Sequence, residues 1–443
     1  MFRILLIFLS LFLVSCSDEA SSALGHTTYA PPSSTMEKRP TLVIRLNFSN
    51  ETFTENETSW QQKIFGTDKG ELNDYYHEIS ANQFEFSPVR DDGLVHNGIV
   101  TLDINKKHPN PRPEDRFFDS DIKEKVHPIL KSSIQQLSNN GFDFSLYDSD
   151  HNNIITPREL VVIFIFAGQE DAYALNKKNG IWAHEWCTED LTTIVNNVEI
   201  MNCYEGDYAA FGERHGSHDA TIGIIAHELG HVAFQLPDLY YGSDTRIGYY
   251  GLMSNGSWGQ AEAGGEAGDT PTHMCAWSKI DTGWYTPSTT SEMYDEELVA
   301  TGSSQFNIIK VPIYKTNDEY FLLENRGTHG YDSGLNIIDY KSTLYTGGVA
   351  IWHIDESVIR LKRNDNTINA DANHKGVDLE EAAGASVDSG NGEPKRNFFY
   401  SGNVDHFTPS TLPNSNLYDG TSSTVSITNI STSAETMSLS IRN

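Results

Sequence analysis

The sequence predicts an α+β fold whose last part is mostly β-structure, and three observations support this prediction. Residues 160–166 form an unbroken run of β-branched, aromatic and aliphatic side chains, which is typical of a buried strand. Apolar residues recur at helical spacing in residues 115–139 and 221–235. From residue 301 onward, short apolar runs alternate with Gly, Asn, Asp and Thr, the pattern of strands joined by turns.

The first residues have the composition of an export signal. Arg3 precedes an apolar stretch at residues 4–14 that is too short to span a bilayer as a helix. The stretch runs into Leu-Val-Ser-Cys, which resembles the lipobox of bacterial lipoproteins, where the cysteine is acylated; an ordinary secretory signal is the alternative. We interpret residues 1–16 as a lipoprotein signal peptide. We expect the chain to be exported and anchored to the cell envelope or cell surface through a lipid on Cys16, its only contact with a membrane.

The rest of the chain divides by composition. Residues 17–40 are rich in Ser, Ala, Thr and Pro and have no periodicity, so we predict a flexible tether. A first strand at residues 41–48 opens a domain that extends to residue 300, and residues 301–443 form the β-rich C-terminal portion. The formal net charge of -30 repels phosphate backbones, which excludes nucleic-acid binding. We expect a monomer.

Three cysteines follow the tether. Export permits a disulfide, and Cys187 and Cys203 are the best pair because both lie on a predicted hairpin at residues 181–204. Cys275 is then expected to be a buried free thiol.

The segment at residues 226–231 carries the strongest chemical signal. His227 and His231 are four residues apart, so on a helix their imidazoles share one face and can bind one metal ion. Glu228 lies off that line, which lets its carboxylate reach a water on the metal. The preceding residues are mostly apolar, as a buried active-site helix requires. We predict a catalytic zinc on the two histidines, with Glu228 as the general base.

A catalytic zinc needs a third protein ligand and one open position. Asp238 is the nearest candidate, because Pro237 ends the helix and lets the chain turn back towards the ion. Glu262 and Glu266, further along the chain, are the alternatives. We expect Asp238 to be the third ligand and leave the two glutamates open.

A second metal site is predicted just before the buried strand, where residues 148–159 match the spacing of a twelve-residue EF-hand-type calcium loop. The expected ligands are Asp148, Asp150, Asn152, the carbonyl of Ile154 and a bidentate Glu159. The sixth position is Asn153 instead of Gly, and asparagine tolerates the left-handed conformation required there. We expect a structural calcium ion that fixes the start of the strand. An ordinary Asx-rich turn is the alternative.

Several segments resemble, in the same order, the immune inhibitor A-like family of secreted bacterial zinc metallopeptidases. Besides the histidine motif, they are residues 181–184, 251–258, 276–279, 347–355 and 377–382. The resemblance covers residues 40–443 and implies that residues 41–300 are a metzincin-like catalytic domain with Met253 beneath the metal. Two positions depart from the metzincin pattern. Phe234 replaces the usual glycine, and Asp238 follows His231 by seven residues, one more than usual.

Together these observations predict a zinc-dependent endopeptidase that acts on protein or peptide substrates outside the cell or in the envelope. The alternative is a surface-anchored binding or adhesion lipoprotein with a vestigial zinc site, in which the β-rich portion does the binding. The intact set of His227, Glu228 and His231 favours the enzyme, since a relic has no need of the glutamate.

Overall fold

The protein has a mixed α+β structure with more strand than helix, which confirms the predicted fold class at this level. The computed structural model describes residues 36–443 except for 92, 112–117, 174–178, 189–191, 204–206, 315, 385, 389 and 391. The predicted signal peptide, Cys16 and the tether as far as residue 35 lie outside the described residues. Within the described residues, no helix has the length and apolar character needed to cross a bilayer.

The regular elements of the described residues are seven α-helices and 21 strands. The helices are α1 (Glu57–Phe65), α2 (Leu72–Ile79), α3 (Phe118–Asp121), α4 (His127–Asn139), α5 (Ile222–Phe234), α6 (Ala276–Asp281) and α7 (Glu356–Lys362). The strands of the first part are β1 (Glu37–Phe48), β2 (Phe84–Pro88), β3 (Ile99–Ile104), β4 (Ile154–Ile155), β5 (Val161–Glu170), β6 (Gly180–Ile181), β7 (His184–Trp186), β8 (Thr193–Val195), β9 (Val198–Ile200), β10 (Tyr208–His215) and β11 (His218–Asp219). Those of the second part are β12 (Ser288–Thr289), β13 (Glu292–Val299), β14 (Ile308–Pro312), β15 (Glu319–Arg326), β16 (Ile337–Ile338), β17 (Lys341–Ser342), β18 (Gly348–Asp355), β19 (Val377–Leu379), β20 (Ser426–Thr428) and β21 (Thr436–Arg442).

A mostly parallel sheet forms the centre of the first part. Strand β1 pairs with β5, β2 and β3, and all three pairings are parallel. On the far side of β5 lies β10, again parallel, and β10 pairs with the short antiparallel strands β7 and β11. This arrangement brings β7 into contact with helix α5, which carries the histidine motif.

The two faces of this sheet bury different helices. Ile163 and Ile165 of β5 belong to the same hydrophobic core as α5, whereas Val162 and Phe164 belong to the core that contains α4. Successive residues of a strand point to opposite faces, so an unbroken apolar run is what a strand covered on both sides requires. Burying one such side chain contributes about 1.5–3 kcal/mol to stability.

The described residues of the second part contain three further sheets. Strands β12, β14, β15, β18 and β19 form one sheet in that order, β13, β21 and β20 form another, and β16 pairs with β17 in the third. Trp352 of β18 lies in the same core as helix α5, so the first and second parts share a hydrophobic core. Residues Met36–Asn443 form one compact unit. The predicted division between residues 300 and 301 stays a prediction.

Two local predictions were wrong in their bounds, and one predicted helix contains an irregular turn. Strand β1 begins at Glu37, four residues before the predicted start. Strand β5 does not end with the apolar run at Phe166 but runs on to Glu170. Gly168 has φ +129 there, and a Cβ on it would lie 2.2 Å from the carbonyl oxygen of Asn179. The helix predicted at residues 115–139 contains a π-helical turn, Ile122–Val126. Pro128 follows this turn and has no N–H to continue the α-helical pattern.

The predicted disulfide is confirmed. Cys187 and Cys203 are bonded, with their Cα atoms 5.0 Å apart, and strands β8 and β9 form a hairpin between them. Cys275 is a buried free thiol, as expected.

Candidate metal centre

Helix α5 presents the histidine motif from inside the hydrophobic core. Eleven of its residues are buried, including His227 and Glu228. The helix ends where Gln235 adopts a left-handed conformation with φ 55, a common way to terminate a helix. The N–H groups of Gln235 and Leu236 then bond back to the last turn, which directs the following residues towards the histidines.

Backbone carbonyls fix the orientation of both imidazoles. Nδ1 of His227 lies 2.9 Å from the carbonyl oxygen of Leu252, and Nδ1 of His231 lies 2.5 Å from that of Leu236. A carbonyl oxygen can only accept, so both rings donate through Nδ1–H, and the lone pair of the neutral ring lies on Nε2. This is the tautomer in which histidine binds a metal through Nε2.

The Nε2 atoms meet the carboxylate of Asp238. The two Nε2 atoms are 3.2 Å apart, and each lies 3.2 Å from Oδ1 of Asp238. Zinc with bonds of about 2.0–2.1 Å in tetrahedral geometry holds its ligand atoms about 3.3–3.4 Å apart. Oδ1 is buried and receives no hydrogen bond within the described part of the chain, as expected of an atom that faces a cation. The residues therefore fit a zinc ion.

The electrostatics of the cluster also favour a cation. Burial alone would lower the pKa of His231, but the carboxylate of Asp238 outweighs it and raises this pKa to about 10. Burial raises the pKa of Glu228, while the two histidines counteract it. The pocket therefore attracts positive charge, and a divalent ion competes with protons for the same atoms.

A residue from the second part of the chain holds Asp238 in place. The side-chain amide of Asn366 donates to Oδ2 of Asp238 at 2.6 Å, and its oxygen accepts the Asp238 N–H at 2.7 Å. The two residues are 128 positions apart, so local sequence patterns gave no reason to connect them. The only signal was an asparagine-rich segment at residues 364–373, which does not identify a partner.

A cavity opens beside Glu228. Its volume is 200 Å³, and its walls include His227, Glu228 and the aromatic side chains of Trp182, Tyr240 and Trp258. Burial raises the pKa of the Tyr240 phenol, and the nearby carboxylates of Asp238 and Glu228 raise it further, so Tyr240 stays a neutral donor. Tyr240 lies two residues after Asp238, and the sequence alone gives no reason to single it out.

The other predicted residues near the zinc motif have different surroundings. The carboxylate of Glu266 lies 3.1 Å from Nε2 of His218, and neither Glu262 nor Glu266 joins the histidine cluster. Met253 is fully buried beneath α5, where a Cβ on Gly230 would lie 2.5 Å from its sulfur.

The predicted calcium loop brings three carboxylates together. Oxygens of Asp148, Asp150 and Glu159 lie within 4.8 Å of one another. Asn153 has φ 66, the left-handed conformation expected at the sixth position. Oδ1 of Asn152 accepts the N–H of Ile154 at 2.6 Å, and β4 begins at Ile154. Burial would raise the pKa of Glu159, but hydrogen bonds from the loop lower it and keep the carboxylate ionised.

Comparison with known proteins places the chain in a family. Residues 48–285 match the family described as "Immune inhibitor A peptidase M6, catalytic domain". Pre-pro-metalloprotease PrtV of Vibrio cholerae is 27% identical over 246 residues, which cover 50% of this chain and 26% of PrtV. Immune inhibitor A of Bacillus thuringiensis subsp. alesti is 28% identical over 205 residues, which cover 43% of this chain and 27% of that protein.

The matched region therefore spans about a quarter of the length of these relatives. The crystal structure of wild type OgpA from Akkermansia muciniphila is 12% identical and covers 69% of this chain and 76% of that one. Its TM-score is 0.28, a likeness too low to carry an argument. The family match includes the histidine motif and more than half of the sequence, so the resemblance seen in the sequence is confirmed: the chain belongs to the immune inhibitor A peptidase family, M6.

Proposed function

We propose that this protein is a zinc-dependent endopeptidase that cleaves extracellular or envelope proteins. One observation carries the proposal. His227, His231 and Asp238 place three ligand atoms 3.2 Å apart beside the cavity that Glu228 lines. Three protein ligands and an accessible fourth side are typical of catalytic zinc and not of structural zinc, which is enclosed by four protein ligands.

The residues around the cavity have complementary roles in hydrolysis. When bound, zinc would polarise the peptide carbonyl and lower the pKa of an attacking water. Glu228 accepts the proton of that water on its carboxylate and delivers it to the nitrogen of the leaving amine. Tyr240 keeps its phenolic proton and donates a hydrogen bond to the oxygen that becomes negative during attack.

We also propose that the catalytic domain is metzincin-like, with one residue inserted after the motif. The left-handed residue that ends α5 is Gln235, one position after the usual glycine, and Asp238 is one position after the usual third ligand. Both positions are shifted by one residue, so the number of residues between the end of the helix and the proposed third ligand is the same as in metzincins. Met253 beneath Gly230 supports the same interpretation.

For the acidic loop we propose a structural calcium ion bound by Asp148, Asp150, Asn152, the carbonyl of Ile154 and Glu159. Calcium prefers oxygen ligands, and Asn153 adopts the backbone conformation that such a loop needs. Calcium at 100 times its Kd should raise the free energy of unfolding by about 2.7 kcal/mol. Denaturant unfolding with and without calcium measures this. An equal calcium response from Asp150→Asn would contradict the site, and Asp295→Asn, an exposed aspartate on β13, is the control.

We propose, from the sequence of residues 1–16, that the protein is exported and anchored by lipid on Cys16. Metabolic labelling with a radioactive fatty acid should mark the wild type and not Cys16→Ser. Equal labelling of the two proteins would contradict the anchor.

Casein hydrolysis by the purified full chain tests the peptidase proposal. Zinc removal by a chelator should abolish cleavage, and added zinc should restore it. Glu228→Gln should lower kcat/KM by about 10²–10⁴ while zinc remains bound. Glu262→Gln, at the alternative ligand position, is the matched control and should behave like the wild type. Cleavage that survives Glu228→Gln or zinc removal would overturn the proposal.

A further inference from the structure

A buried carboxyl group lies at the end of the central sheet, close to the candidate active site. Glu170 is the last residue of β5 and is 1% exposed. Burial raises the pKa of its carboxyl group, three backbone N–H donors lower it, and the carboxylate of Glu228 raises it again. The two carboxyl groups therefore lie within electrostatic reach of each other. Glu170 is not one of the proposed metal ligands, and the proposed mechanism does not use it.

The oxygens of Glu170 accept hydrogen bonds from three backbone N–H groups. Oε1 accepts those of Ala172 and Ala183, both at 2.9 Å, and Oε2 accepts that of Gly212 at 2.8 Å. A buried N–H group needs an acceptor, so these three bonds are part of the folded structure and not incidental contacts. The donors belong to three separate segments of the chain, and a single side chain joins all of them.

The end of the sheet explains why a side chain is needed here. Strands β5 and β6 remain in register only as far as Glu170 and Ile181. On the other side, the register between β5 and β10 shifts after Gly212, and such a bulge leaves a backbone group out of the ladder. A Cβ on Gly212 would lie 2.4 Å from the carbonyl oxygen of Gln169, so the two backbones approach closely. The carboxyl group of Glu170 therefore takes the place of the next hydrogen bonds of the sheet.

Two of the three bonded segments form part of the wall of the cavity beside Glu228. Ala172 and Trp182 both line this cavity. The N–H of Ala172 donates to Glu170 directly, and Trp182 is followed in the chain by Ala183, the second donor to the same oxygen. Glu170 therefore fixes Ala172 and Trp182 relative to each other and to the end of β5.

We infer that Glu170 is a substrate-positioning residue, which holds the wall formed by Ala172 and Trp182 where a peptide in the cavity can bind against it. This inference rests on the proposed peptidase function. Loss of the three bonds should displace the wall and weaken substrate binding, which raises KM and leaves kcat unchanged. Zinc affinity should not depend on Glu170, because the carbonyl groups of Leu252 and Leu236 orient the two imidazoles.

Glu213 offers a closely matched control. It is also 1% exposed, lies on the neighbouring strand β10, and accepts the backbone N–H groups of Thr54 at 2.7 Å and Glu55 at 3.2 Å. It does not belong to the described residues that line the cavity of Glu228. A substitution at either Glu170 or Glu213 removes a buried acceptor of backbone N–H groups. Effects that the two substitutions share therefore report on stability, and effects confined to Glu170 report on the wall.

Kinetics on fluorescein-labelled casein with the zinc-loaded full chain test the inference. Glu170→Met keeps a long side chain but removes both acceptor oxygens, so KM should rise about tenfold, with kcat and the Kd for zinc within about twofold of the wild type. Glu170→Asp keeps the charge but withdraws the oxygens by one methylene, so KM should rise about threefold, and this variant decides the question if Glu170→Met does not fold. Glu213→Met and Glu213→Asp should keep the wild-type KM.

Hydrogen exchange and binding separate this inference from the peptidase proposal. The N–H groups of Ala172 and Ala183 should exchange about tenfold faster in the Glu170 variants than in the wild type and at the wild-type rate in the Glu213 variants. Casein should bind the zinc-loaded Glu228→Gln protein more weakly when a Glu170 substitution is added. If the wild type cleaves nothing, these two results support the wall, and only the peptidase proposal fails. Unchanged exchange, casein binding that is absent or unchanged, a Kd for zinc that rises with KM, or effects that the Glu213 variants share overturn the inference.

Discussion

Asn366 offers a test of the candidate metal centre that leaves all three proposed ligands intact. Its side chain makes two hydrogen bonds to Asp238, one to the carboxylate at 2.6 Å and one from the backbone N–H at 2.7 Å. Asn366→Ala removes both. The Asp238 carboxylate then loses the contact that fixes its rotation.

The size of the effect follows from these contacts. A hydrogen bond to a charged group contributes about 1.5–3 kcal/mol and a neutral one about 0.5–1.5 kcal/mol. Groups that orient metal ligands typically change metal affinity by about 10–100-fold. Asn366 is exposed, and water can replace part of its bonding, so we expect a loss near the lower limit. The Kd for zinc should rise about tenfold, which corresponds to about 1.4 kcal/mol.

Competition with a chromophoric chelator measures this Kd in the purified full chain. Asn364→Ala, two positions earlier and also exposed, is the matched control and should bind zinc like the wild type. Peptidase activity of Asn366→Ala should be low at limiting zinc and recover at high zinc. Wild-type zinc affinity in Asn366→Ala would refute the positioning role.

Three further outcomes follow from the structure. Tyr240→Phe should lower kcat by about 10² with zinc content unchanged, and wild-type kcat would remove Tyr240 from the mechanism. Replacing Cys187 by serine opens a loop of 16 residues and should lower the free energy of unfolding by about 3 kcal/mol in urea titrations. Burial would lower the pKa of His353, but two glutamate carboxylates raise it to about 9, above its unfolded value of about 6.5. These ion pairs therefore contribute fully to the free energy of unfolding below the unfolded-state pKa of His353. The contribution, up to about 3 kcal/mol, is lost as the pH rises through 9. His353→Gln should flatten this fall.

Features with local causes could be predicted from the sequence. The four-residue spacing of His227 and His231 places both imidazoles on one face of α5, because the helix period determines which residues share a face. The apolar run of β5 identifies a strand buried on both faces without knowledge of its neighbours. The pairing of Cys187 with Cys203 follows from one short hairpin.

Features with distant causes could not be predicted. Asn366 reaches Asp238 across 128 positions, and residues as distant as Tyr173 and Tyr340 line one cavity. Nothing in either segment alone encodes such a contact, since it depends on how β15, β18 and their loops pack against the first part. The start of β1 was missed for the same reason, because Glu37 becomes a strand residue only by pairing with Phe84.

Anomalous diffraction at the zinc edge from crystals of the full chain addresses the central claim most directly. The account predicts one strong peak about 2.0–2.2 Å from Nε2 of His227, Nε2 of His231 and a carboxylate oxygen of Asp238, with its fourth side open to the cavity of Glu228. A zinc ion bound without Asp238, enclosed by a fourth protein ligand, or absent from the two imidazoles in zinc-saturated crystals would contradict it.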